Sequence, residues 1–153
     1  MRIEHLSLAA FGLILLALGG CSSAPKQAGV DAGASAARHA LEMQGKPYRA
    51  GGSSPRGFDC SGLVQYSYAM VNMRLPRSTE DQWTSSRAIS RKEIRPGDLL
   101  FFHQEGKRNS HVAIYVGSSR FVHAPSSGKQ VSTASLTDRY WSQHFAGARR
   151  PVL

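Results

Sequence analysis

The apolar residues of this chain change their period once, near "RPGDLLFF". Before Pro96 they recur every three or four residues, as on one face of a helix. After it they alternate or run in short blocks, as in strands. "SAARHALEMQG" predicts a helix over residues 35–45, with Ala37, Ala40, Leu41 and Gln44 on one side and Gly45 as its stop. "DCSGLVQYSYAMVNM" predicts a second, capped by Asp59, with Leu63, Tyr66, Met70, Val64, Ser67 and Val71 turned inward. "LPRSTEDQWTSS" opens a third, where Ser78 and Asp81 have capping-box spacing. "PGDLLFFH", "HVAIYVG", "RFVHAP", "KQVST" and "HFAGARR" then read as strands. Helices first and antiparallel strands afterwards make an α+β domain, with the helices packed on one face of the sheet.

The beginning of the chain follows other rules. "LSLAAFGLILLAL" is apolar but shorter than the ~20 residues that span a bilayer. A basic Arg2 precedes it and "LGGC" ends it, so residues 1–20 read as an export signal. The ending resembles a bacterial lipobox, which implies cleavage before Cys21 and lipid on its thiol and new amino group. Residues 21–33, "CSSAPKQAGVDAG", read as a tether between that lipid and a domain over residues 34–153. The net charge of +9 favours polyanionic partners. For an exported protein, anionic wall polymer or lipid head groups fit that charge better than nucleic acid.

The chain has two cysteines, and a lipidated Cys21 leaves Cys60 without a partner. A lone thiol in an oxidising compartment is a candidate nucleophile. With Asp59 at the cap, Cys60 opens a helix, where the partial positive charge of the free amides favours thiolate, the reactive form. Small Ser61 and Gly62 beside it leave room for a substrate backbone. A cysteine nucleophile needs a base, and the base needs an orienting group. His111 opens one strand and His123 closes the next. If the turn around residues 117–119 has three residues, Ala113 pairs with His123 and both histidines share one face as diagonal neighbours, whereas a two- or four-residue turn would put them on opposite faces. His5, His39, His103 and His144 read as leader, surface or structural residues. On spacing alone, a zinc site of Cys60, His111 and His123 stays open, although no close ligand pair is present. So do three unrelated core residues.

Five stretches in order, "GKPYRAGGSSPRGFDCSGLVQYSY", "LPRSTEDQW", "RPGDLLFF", "SHVAIYVG" and "FVHAP", resemble the NlpC-type peptidoglycan peptidases. That group is papain-like, and the resemblance spans residues 36–150. It implies Cys60 as nucleophile, His111 as base and His123 as the third polar residue. Tyr48 matches the tyrosine beside the active site, whose hydroxyl helps hold the oxyanion. Asp59 and Ser61 match positions flanking the nucleophile that shape a substrate subsite. Arg77 matches the "LPR" arginine, whose physical role the sequence leaves open. No metal and no cofactor are implied.

The expected protein is a lipid-anchored cysteine endopeptidase cutting peptide stems or cross-links of peptidoglycan. Ser22 after the lipid cysteine, with no aspartate as a retention signal, points to the outer membrane, facing the periplasm. A catalytically silent wall-binding lipoprotein, or an amidase or acyltransferase on the same fold, are the alternatives.

Overall fold

The computed structural model describes residues 26–152. The signal segment and Cys21 lie outside the described residues.

Helix α1, Lys26–Glu42, begins nine residues before the expected helix and covers most of the segment read as a tether. The reason is local. Ala28, Ala32, Ala34, Ala36 and Ala37 make this stretch a strong helix former despite its glycines. Ala36, Ala37 and Ala40 are buried against the sheet. Gly33 brings the helix backbone onto the turn at 95–98. A Cβ on Gly97, which has φ +97°, would sit 2.4 Å from Gly33. The helix ends before Gly45, whose amide bonds Val131 O at 2.9 Å.

A two-stranded ribbon follows, β1 (Ser53–Ser54) and β2 (Gly57–Phe58), and then α2 (Cys60–Ala69). The second helix is shorter than expected. Asn72 adopts φ +61°, and the turn through residues 70–72 closes the helix. Met70, expected inside, is therefore 50% exposed, and Tyr68 takes the inner place, bonding Gly97 O with its buried hydroxyl. Helix α3, Thr79–Thr84, is capped by the Ser78 hydroxyl, which accepts from Asp81 N at 3.1 Å. The box is not reciprocal: the shorter Asp81 side chain accepts from the Ser78 hydroxyl at 2.6 Å.

The main sheet has six antiparallel strands in the order β3 (Arg87–Ile89), β8 (Phe145–Arg150), β4 (Leu99–Gln104), β5 (Lys107–Gly117), β6 (Arg120–His123), β7 (Ser132–Ser135). One face, with Leu99, Phe101, Val112, Ile114 and Val122, packs on α1 and α2. The other, with Leu100, Phe102, Ala113 and Phe121, is not left bare. A fourth helix, α4 (Arg139–His144), brings Trp141 onto it. The helices therefore occupy both faces, where one was expected. β3, the ribbon and α4 are too short to carry a period of their own.

The β5–β6 turn differs in detail from the three-residue expectation. Ser118 and Ser119, both with positive φ, make a two-residue turn. A register shift between Tyr115 and Gly117 then inserts one residue, so that Gly117 faces Arg120 while Ile114 faces Val122. The bulge restores the parity that the shorter turn removes, and His111 and His123 still share a face.

Candidate active site

The start of α2, the first half of β5 and the end of β6 meet at one end of the domain. There a cavity of about 430 Å³ is lined by Tyr48, Cys60, Gln104, Glu105, Lys107, Ser110, His111 and Pro125 with the two serines after it. Cys60 is half-buried and unpaired, with Sγ 3.7 Å from the Thr79 hydroxyl. Tyr48 is held by its backbone: its amide bonds Lys129 O at 2.8 Å, and it bridges to Phe58 in the ribbon. Burial, then the nearby Cys60 and Asp59, push its phenol above the ordinary value. Its hydroxyl thus keeps its proton and can donate it in a hydrogen bond.

His111 Nε2 and His123 Nδ1 are 2.8 Å apart, and the two rings are only 2% and 3% exposed. Charge on a ring buried this deeply loses its hydration. Burial, with His123 beside it, lowers His111 to about 3. Burial, with Lys129 nearby, lowers His123 to about 4. Both are neutral at neutral pH, so one proton occupies the bond between them. A proton on His111 Nε2 leaves its Nδ1 as a free base. In that tautomer His111 turns a neutral ring with an unprotonated nitrogen away from His123.

The environment of this pair is aromatic. Trp141 stands 5.7 Å from the His111 ring and 4.9 Å from the His123 ring, centre to centre. Phe102 lies 6.2 Å from the His111 ring and Phe121 5.3 Å from the His123 ring. Sequence reasoning missed Trp141, because it sits on a six-residue helix with no readable period.

Asp59, Ser61 and Arg77 come together at the turn that opens α2, close enough to Tyr48 for the charges of Asp59 and Arg77 to act on its phenol. Arg77 grips both oxygens of Asp59, Nη1 to Oδ1 at 2.9 Å and Nη2 to Oδ2 at 2.6 Å. The same Nη1 donates to Ser61 Oγ at 2.9 Å. Asp59 in turn caps α2 by accepting from Gly62 N at 2.8 Å, and it accepts from Gly51 N at 3.0 Å. Arg77 thus ties Asp59 and Ser61, the two neighbours of Cys60, to the loop before α3. Gln82, also missed, completes the brace. Its buried Nε2 donates to Ser61 O at 3.0 Å and Pro76 O at 2.8 Å, tying the residue after the thiol to the loop that carries Arg77.

The small residue after Ser61 serves the protein itself. A Cβ on Gly62 would lie 1.9 Å from Gly52 O. The "AGG" loop therefore packs directly onto the first turn of α2, and Asp59 N bonds that same carbonyl at 3.0 Å.

Among the described residues, no three His, Cys, Asp or Glu side chains are grouped as metal ligands.

Residues 45–150, which hold the braced cysteine, the ring pair and the cavity, match the NlpC/P60 family. The chain belongs to the NlpC/P60 family. Murein DD-endopeptidase MepH of Escherichia coli K12 is 44% identical over 115 residues, covering 72% of this chain and 42% of MepH. The bifunctional muramidase/DL-endopeptidase CwlT of Bacillus subtilis is 45% identical over 116 residues, 74% of this chain and 35% of CwlT. This chain thus spans less than half the length of either relative. The crystal structure of a lipoprotein-like NLP/P60 protein of Staphylococcus aureus superposes with a TM-score of 0.70 at 37% identity, over 91% of this chain and 46% of that one. The NlpC/P60 domain described here has the papain-like α+β fold of those relatives.

Proposed function

We propose that this NlpC/P60 domain is a cysteine endopeptidase that hydrolyses amide bonds in the peptide stems or cross-links of peptidoglycan. The observation that carries the reading is the cavity shared by Cys60 and His111, with His111 tied to a buried, neutral His123. The names of MepH and CwlT, both endopeptidases and one a murein enzyme, support the substrate class.

The chemistry follows from the arrangement. The Cys60 thiol gives its proton to His111 Nδ1 as its sulfur attacks the amide carbonyl carbon. His111 Nε2–H donates to His123 Nδ1 throughout, which holds the ring and spreads the charge of the transient imidazolium. The carbonyl oxygen becomes an oxyanion. The first-turn amide of Cys60, which α2 leaves without an intrahelical acceptor, and the Tyr48 hydroxyl can both donate to it. His111 then hands its proton to the departing amine, the C–N bond breaks, and a thioester remains. A water molecule, deprotonated by His111, attacks the thioester carbonyl. The acid leaves, and the proton returns to the Cys60 sulfur. Asp59, Ser61, Arg77 and Gln82 act through the position of Cys60. Glu105 and Lys107 offer opposite charges along the cavity, suited to the ammonium and carboxylate groups of a stem peptide.

Purified protein incubated with cross-linked muropeptides, with the products identified by mass spectrometry, tests this reading. Peptide fragments with a new amine and a new carboxylate are expected. Release of whole stems from the glycan would make the protein an amidase, transfer to an added amine an acyltransferase, and unchanged substrate a binding protein.

The anchoring reading is separate, and it rests on "LGGC" and Ser22. Cys21 carries the lipid and holds the domain at the outer membrane, facing the periplasm. Its supports are sequence features alone. Replacing Cys21 by Ala should move the protein from the membrane fraction to the soluble one. Retention after a high-salt wash would refute lipid anchoring.

A further inference from the structure

Helix α4 has two working faces. Its inner face sets Trp141 against the histidine pair. Its outer face carries Tyr140 and His144, four residues apart and so one turn above each other. Their rings are stacked, 4.2 Å between centres and 24° between planes. His144 Nδ1 bonds Tyr140 O at 2.7 Å, which fixes the imidazole and leaves Nε2 for another partner. Tyr140 is 49% exposed, in company with Arg139 and Gln143, both also exposed. It is joined to the cavity: Gln104 Nε2, on the cavity wall, donates to the Tyr140 hydroxyl at 3.4 Å.

We infer that Tyr140 and His144 form a saccharide platform, which takes a hexosamine ring of the glycan strand next to the stem being cut. The inference rests on the peptidoglycan reading above and says where the sugar lies. A pyranose presents a flat face of C–H bonds and a rim of hydroxyl and acetamido groups. A fixed aromatic stack matches the face, and the Tyr140 hydroxyl, His144 Nε2 and Gln104 match the rim. A lipid surface would need a broad apolar patch, whereas here one half-exposed ring stands among polar side chains. The platform lies one aromatic ring beyond the histidine pair, since Tyr140 meets Trp141 at 5.1 Å edge to face. His144, which the sequence left as a surface or structural residue, thereby gains a role.

The test compares one cross-linked peptide in two forms, with and without its disaccharides. Tyr140→Ala should lower the ratio of kcat/KM on the glycan-bearing form to that on the bare peptide by about three- to tenfold, the worth of one aromatic contact. Tyr140→Trp should keep the ratio near that of the native protein. An unchanged ratio in Tyr140→Ala overturns the inference, including the case in which both substrates slow equally. A second measurement does not depend on turnover. Peptide-free glycan oligosaccharides titrated into Cys60→Ala protein should shift the ring resonances of Tyr140 and His144, and the absence of any shift also overturns the platform. If native protein cleaved neither peptide while the glycan still shifted those resonances, the endopeptidase reading would fall and the platform would stand.

Discussion

Lowering the pH from 7 to 5 should destabilise this domain in a way traceable to two residues. In the unfolded chain a histidine titrates near 6.5, whereas in the fold His111 is lowered to about 3 and His123 to about 4. The unfolded state therefore binds protons as pH falls through 6.5, and the folded state refuses them until near 4. The stability these rings contribute is fully present above 6.5 and is lost as pH falls towards their folded values. Between pH 7 and pH 5 the loss is about 2 kcal/mol per histidine, or about 4 kcal/mol for the pair. Urea unfolding at the two pH values measures it. Carboxylates also titrate at the lower end, so the decisive quantity is a difference. His123→Gln keeps a polar partner for His111 Nε2 but cannot be protonated, and its pH-dependent loss should be about 2 kcal/mol smaller than that of the native protein. Equal losses would show that the rings exchange protons freely with water in the fold, and the neutral pair would be wrong.

Substitutions at three positions probe the supports of the thiol and of the histidine pair. Gly62→Ala drives a methyl group to 1.9 Å from Gly52 O, backbone against backbone, so the loop or the helix start must move. It should destabilise by about 1–3 kcal/mol in thermal unfolding and remove most activity, and a native-like Tm with full turnover would refute the packing argument. Arg77→Met leaves Asp59 with two backbone donors and no cation. Because Arg77 is 39% exposed, the stability loss should be modest, about 1–2 kcal/mol, while kcat falls further than KM rises. Lysine at this position should rescue little, since it cannot grip both oxygens, and full rescue would make charge alone sufficient. Trp141→Ala admits water to the histidine pair. The acid limb of kcat/KM should move up towards 6.5, whereas Trp141→Phe should hold it, and a uniform loss with no shift of the limb would leave Trp141 a packing residue only.

The parts of the site that sequence made legible are those with a local rule. Asp59 before an apolar helical stripe marks the start of α2, and strand alternation brings His111 and His123 to one face. Other parts depend on contacts between segments distant in the chain. Nothing near Gln82 announces that its amide will reach Ser61 O, 21 residues earlier. Gly62 looks like space for a ligand until the "AGG" loop is found resting on it. The α1 helix runs through a Pro/Gly-bearing segment because its alanines outweigh the two glycines. The β5–β6 turn reaches the right parity by a bulge that no spacing rule encodes. Trp141 and Tyr140 belong to a helix too short for its faces to be told apart by period, so the cover of the histidines and the outer stack become visible only in three dimensions.

The central claim is that Cys60 is the nucleophile. The direct measurement is acid quenching of native protein during turnover of a cross-linked muropeptide, followed by mass analysis of the peptide that contains Cys60, with Cys60→Ala assayed in parallel. The account predicts a fraction of that peptide heavier by one acyl group, sensitive to hydroxylamine as a thioester is. It also predicts no hydrolysis by Cys60→Ala, with a circular dichroism spectrum matching the native protein. Hydrolysis by Cys60→Ala at the native rate, with no acyl group found on the native thiol, would contradict it.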